Sequence, residues 1–142
     1  MKKLSIFLAS LFILSASSLF ADMVVPPSAL PEQSTEFIER VFPGAQILKV
    51  ERDERKFDVQ LSNGVSIDFL VNGDWDNIDS EYTPIPNAAF PANIIQAVRK
   101  MYPQAAIIHA EKKWGTYKLK LSNRSELMIT RDGRIMREKF DD

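Results

Sequence analysis

The stretch "FPGAQILKVERDERKFDVQLSN", which begins at Phe42, returns sixty residues later as "YPQAAIIHAEKKWGTYKLKLSN" from Tyr102. At that offset the two halves of the chain align without a gap. Pro31 falls on Pro91, Pro43 on Pro103, Ala45 on Ala105 and Ile47 on Ile107. Glu51 falls on Glu111, Leu61-Ser62-Asn63 on Leu121-Ser122-Asn123, and Gly73 on Gly133. A fixed period of this length marks a supersecondary unit used twice, and such units bury their apolar faces against each other.

Each unit opens with a helix. Pro31 and Pro91 suit a first helical position, where no N–H is needed. Phe37, Ile38, Val41 and Phe42 form one apolar face, and Ile94, Ile95, Val98, Met101 and Tyr102 form the other, at helical spacing. Pro43 and Pro103 stop the helices, because the residue before a proline disfavours the α region. Strands follow at 45–52 and 105–112, apolar on both faces, so their orientation is open. The next pair, 56–62 and 116–122, alternates cleanly. Phe57, Val59, Leu61, Tyr117, Leu119 and Leu121 point one way; Asp58, Gln60, Lys118 and Lys120 point the other. Third strands carry Ile67, Phe69 and Val71, echoed by Leu127 and Ile129. Short last strands lie near 75–78 and 135–138. Asn63-Gly64 reads as a two-residue type I′ hairpin turn, with Asn123-Arg124 in the same place. The expected fold is α+β: two tandem αβ4 repeats sharing one core, in an antiparallel sheet of up to about eight strands with both helices on one face. The expected boundaries are 30–83 for the first repeat and 84–142 for the second, within one structural domain. A linker over 76–89, containing Pro84 and Pro86, joins them, and residues 22–29 form an N-terminal linker.

The start of the chain has a different composition. Lys2 and Lys3 precede an apolar run from Leu4 to Leu14, and small residues lead to Ala21 before Asp22. That order predicts a secretory signal peptide over 1–21, hence a periplasmic or secreted protein with no stable membrane span after cleavage. The chain has no cysteine, which excludes disulfides, thiolate metal sites, a cysteine nucleophile and a lipoprotein anchor. The net charge of −1 hides an asymmetry. Residues 30–89 carry 12 acidic and 5 basic side chains; residues 90–142 carry 6 acidic and 11 basic.

Leu30-Pro31, Phe42-Pro43-Gly44-Ala45, Leu61-Ser62-Asn63-Gly64 and Asn72-Gly73-Asp74-Trp75 together resemble the PepSY-like family related to β-lactamase-inhibitor proteins. The second half matches less well: Arg124 replaces the hairpin glycine, and Ile135 stands where the tryptophan would be. The resemblance covers the chain from Leu30 onward. It implies an exported protein of two αβ4 repeats and does not imply an enzyme. Related domains inhibit or regulate proteases, and the inhibitor proteins grip a β-lactamase with their sheet. Fold alone does not transfer either role.

No catalytic constellation is present. His109 is the only histidine, and no G-x-S-x-G motif occurs. Asp74, Asp76, Asp79 and Glu81 offer oxygen ligands in one turn but lack the calcium-loop pattern. A solvated acidic turn is therefore the plainer reading, and neither a metal nor a cofactor is expected. Lys112, Lys113, Lys118 and Lys120, beside Trp114 and Tyr117, form a basic and aromatic patch. Export argues against nucleic acid as its target. The expected function is a non-enzymatic module binding a protein or peptide in the cell envelope, with protease inhibition or regulation as one outcome. Its expected contact residues are Asp58, Gln60, Asp68, Trp75, Trp114, Lys118 and Lys120, with Ser66, Glu126 and Thr130 on the same open face. Trp75, Tyr82 and Trp114 have a second reading, as caps on the core. The alternative function is a small-ligand or calcium-responsive envelope protein using the turn from Asp74 to Glu81.

Overall fold

The computed structural model describes residues 22–141, so the expected signal peptide lies outside the described residues. Nine strands form one antiparallel sheet in simple sequence order. They are β1 (Met23–Val25), β2 (Ile47–Arg52), β3 (Lys56–Leu61), β4 (Ser66–Leu70), β5 (Trp75–Asp79), β6 (Ile107–Lys113), β7 (Thr116–Leu121), β8 (Ser125–Thr130) and β9 (Ile135–Phe140). Helix α1 (Glu32–Val41) lies between β1 and β2, and α2 (Ala92–Met101) between β5 and β6. The α+β class and the two αβ4 units are as the repeat requires.

Several details differ from the sequence reading, among them Val71, which lies beyond β4 and is exposed, and β5, which runs into the expected linker as far as Asp79. Pro31 and Pro91 stand one residue before their helices, with extended ψ of 144° and 150°, rather than inside them. Their carbonyls accept the first N–H groups, from Ser34 and Thr35 and from Ile94 and Ile95. The expected linker over 22–29 contains strand β1 and a 3-10 turn at Pro27–Ala29. β1 takes the place beside β2 that β5 takes beside β6. Without it β2 would end the sheet with an unpaired edge, and its presence explains nine strands instead of eight. Lastly, the hairpin after β3 is not type I′. Only Gly64 there has positive φ, at 86°, and only Arg124 in the equivalent turn, at 70°. Gly64 N–H bonds Leu61 O, and Leu61 N–H bonds Val65 O, which is a three-residue loop whose last residue is left-handed.

One side of the sheet is covered by the helices. Phe37, Ile38 and Val41 of α1 and Ile94 and Val98 of α2 join Val50, Val59, Ile67, Phe69, Ile78, Ala110, Leu119, Leu127 and Ile129 in one buried cluster. Trp75 sits where the halves meet, with ring centroids 6.3 Å from Phe37, 5.8 Å from Phe90 and 6.2 Å from Tyr117. The hairpin at Gly73 braces α1. The Ser34 hydroxyl donates to the Gly73 carbonyl at 2.9 Å, and a Cβ at Gly73 would lie 3.0 Å from Pro31 Cβ.

Candidate functional site

Strand pairing places the polar side chains on the sheet face opposite the helices, and the registers set them in rows. One row crosses all nine strands: Val24, Glu51, Asp58, Asp68, Asn77, Glu111, Lys118, Met128 and Arg137. A parallel row runs Lys49, Gln60, Ser66, Asp79, His109, Lys120, Glu126 and Lys139. No other layer of the described residues covers this face. In the first row the charge is acidic as far as Glu111 on β6 and basic from Lys118 on β7. The change of sign therefore falls inside the second repeat, one strand beyond the repeat boundary.

Asp58 and Asp68 stand directly opposite each other, an arrangement that costs stability between like charges. Lys56 relieves part of it, donating to Asp68 at 3.1 Å. Partial burial, then the neighbouring Asp68, pushes the Asp58 carboxyl above its ordinary pKa. Asp76, the extra residue in the irregularity between β4 and β5, is also pushed up, chiefly by burial, while Lys56 opposes the shift. Its Oδ1 is buried without a hydrogen-bond partner. On the basic side Lys118 reaches Glu126 at 3.5 Å. Asp58, Gln60, Asp68, Lys118 and Lys120 thus share one surface.

The two tryptophans part company. Trp75 is only 4% exposed, so it is a core residue and presents nothing to a partner. Lys112 lies over its ring, 4.3 Å from the centroid, and is held there by Asp74 at 2.7 Å. Trp114 is 93% exposed at the tip of the β6–β7 hairpin. Trp114 and Gly115 have φ of 56° and 74°, so the type I′ turn occurs here, where a Trp-Gly pair is a weaker signal than Asn-Gly. The shift of sixty sets Trp114 on Glu54, so the first repeat offers no such aromatic. Tyr82, 89% exposed, lies at the opposite end of the sheet.

Two carboxylates of the acidic turn, Asp74 and Asp79, are engaged elsewhere. Asp74 pairs with Lys112, and Asp79 Oδ1 accepts the Glu81 N–H at 2.9 Å. Among the described residues no three His, Cys, Asp or Glu side chains converge to hold a metal ion. His109 Nδ1 lies 3.9 Å from Asp79. A cleft of about 400 Å³ on the helix side is lined by Glu36, Phe37, Arg40, Trp75, Phe90 and Lys112 among others. Arg40 is committed to the Ala88 carbonyl at 3.1 Å.

The chain uses a unit of one helix and four strands twice, and the model of the β-lactamase-inhibitor-like, PepSY-like family matches it at residues 21–69 and 55–137. The chain belongs to this PepSY-like family. Solved structures agree in fold. A periplasmic protein from Bacteroides thetaiotaomicron, provisionally named as calcium-regulated, is 25% identical, with a TM-score of 0.77 over 83% of this chain and 96% of its own. Two provisionally named periplasmic proteins from Bacteroides vulgatus are each 24% identical. One has a TM-score of 0.78 over 84% of this chain and 97% of its own; the other, of unknown function, has 0.74 over 83% and 98%. No curated protein matches the chain. Among the described residues no helix is long and apolar enough to cross a membrane.

Six members of the longer row were not among the contacts expected from the sequence: Val24, Glu51, Asn77, Glu111, Met128 and Arg137. Each lies in a strand whose neighbours are fixed only by register, and alternation within one strand carries no signal for what stands opposite in the next.

Proposed function

We propose that this PepSY-like protein is an exported, non-enzymatic module that docks a protein or peptide on the open face of its sheet. The single observation behind this reading is the row from Glu51 to Arg137, acidic at one end, basic at the other, on a face that no other layer of the described residues covers. Charge arranged in this way steers encounter and fixes orientation more than it adds affinity. The partner it suits is basic where it meets β2 to β6 and acidic where it meets β7 to β9. Its periplasmic structural neighbours fit the export predicted from the first 21 residues. Protease inhibition is one outcome such docking would have.

The test uses the mature chain, a partner captured from envelope extract and binding kinetics at low and high salt. Reversing Lys118 and Lys120 to Glu slows association by about tenfold at low salt, and the effect shrinks as salt screens the steering. Unchanged association would remove this face as the docking surface and leave the exposed tip at Trp114 as the next candidate.

A second reading takes up calcium, which the provisional name of the B. thetaiotaomicron relative suggests. Asp76 supports this from within the turn from Asp74 to Glu81, since its Oδ1 is buried without a hydrogen-bond partner. A melting midpoint raised by calcium but not by magnesium, and no longer raised in Asp76→Asn, would favour it.

A further inference from the structure

β9 ends the sheet with six residues and no neighbour beyond it among the described residues. The other edge is β1, only three residues long and closed by Pro26. Backbone polarity on β9 can be followed from its end. Asp141 N–H donates inward to Arg124 O at 3.0 Å. Alternation along an antiparallel strand then turns the N–H and C=O groups of Phe140 and Glu138 outward, to the free edge. On the open face β9 carries Arg137 and Lys139, opposite Met128 and Glu126. Among the described residues Arg137 enters no ion pair, and Lys120 stands two strands inward with none. Met136 and Phe140 are 56% and 58% exposed.

A second copy of this chain is a poor occupant. In two-fold antiparallel pairing, facing residues share a sheet face, so their numbers have the same parity. One well-overlapped register sets Arg137 against Lys139 and Glu138 against Glu138; the other sets Arg137 against Arg137. Both oppose like charges, which guards the edge against self-association. The same charges favour an acidic strand.

We infer that β9 is a strand-addition site for an extended acidic segment of another protein, with acidic residues at alternate positions facing Arg137 and Lys139. Main-chain hydrogen bonds to Glu138 and Phe140 give the affinity, and the alternating side chains give the selectivity. An apolar residue of the added strand covers Phe140. This edge shares Arg137 and Lys139 with the sheet face proposed above and differs from it in offering main-chain hydrogen bonds.

The probe is a synthetic peptide of about seven residues with two glutamates spaced by one threonine and flanked by valines, titrated into the isotopically labelled mature chain. Saturable binding is expected, with the Glu138 and Phe140 amide protons shifted and slowed in exchange. N-methylating the peptide's edge-facing amides, which leaves the protein untouched, is expected to weaken binding by about tenfold or more, since main-chain bonds carry it. Glu138→Pro is expected to do the same, because proline is tolerated where a strand N–H faces away from the sheet. Arg137→Glu weakens binding at low salt, whereas Asp58→Lys, across the sheet, leaves it unchanged. No saturable binding at millimolar peptide, or equal binding of the N-methylated peptide, would overturn the site and leave β9 as a guarded edge only. Since Asp58→Lys disturbs face docking alone, the two proposals fail separately.

Discussion

At Asp76 a buried carboxylate oxygen lacks a hydrogen-bond donor, and burial is the main cause raising the group's pKa. The folded state therefore holds this proton more tightly than the unfolded chain does. The sign follows by linkage: a carboxyl whose folded pKa lies above its ordinary 3.8 destabilises the fold once it ionises. The penalty is absent below that value and grows as pH rises through the folded pKa. Asp76→Asn is thus expected to unfold later than the parent at pH 7, by about 0.5 kcal/mol or less, because a half-exposed charge is screened and the attraction to Lys56 is lost with it. Denaturant melts at pH 7 and pH 3 check this, and the advantage should vanish at the lower pH. An Asp76→Asn protein less stable at pH 7 would show that Lys56 outweighs burial. Nothing in the sequence singled out Asp76 from the other acids of its turn. It read as one of several acids in a turn, and its burial comes from the extra residue between β4 and β5.

Hairpins are where the two repeats diverge, and backbone geometry tells which divergence is costly. Arg124 has a φ of 70° where the first repeat has Gly64, and a side chain with a Cβ pays on the order of 1 kcal/mol there. Arg124→Gly should leave the protein equally or slightly more stable, with part of the gain offset by glycine's looser unfolded chain. Trp114 sets the sharper case. Its ring is almost fully in solvent, so truncation loses no core packing, while its backbone is left-handed. Asparagine suits the first position of a type I′ turn, so Trp114→Asn is expected to raise stability by up to about 1 kcal/mol. If the tip anchors a partner, the same change lowers binding, and melting and binding then move in opposite directions. A fall in stability would mean that the indole packs where the structure shows none. The elements themselves were largely legible: proline stops bounded the helices and period-two alternation gave β3 and β7. β1 was not, since Met23–Val25 is too short to show alternation and becomes a strand through the open edge of β2.

On the scale of the molecule, the repeat foretold the architecture better than the surface. The offset of sixty gave two units and one core, but the acidic and basic regions do not divide where the units do. Glu111 belongs to the second repeat by sequence and to the acidic row by register, opposite Asn77 on one side and Lys118 on the other. Register of that kind is decided by where β5 and β6 meet, through Asn77, Ile78 and Asp79 against Glu111, Ala110 and His109. The same junction holds the core together. Trp75 comes from the first unit, yet it packs against Phe90 and Tyr117 of the second as well as Phe37 of its own. Separating the halves would expose Trp75, uncover Ile78 and Ala110, and leave both β5 and β6 as unpaired edges. Fragments of about 60 residues bury a smaller share of their surface and are marginal even when intact. Residues 22–83 and 84–142, expressed separately, are therefore expected to show no cooperative unfolding transition. Mixed together, they should regain one, with tryptophan emission shifting to the blue as Trp75 is covered again. A cooperative melt in either fragment alone would mean that each repeat has its own core and that the β5–β6 junction is an interface between two domains.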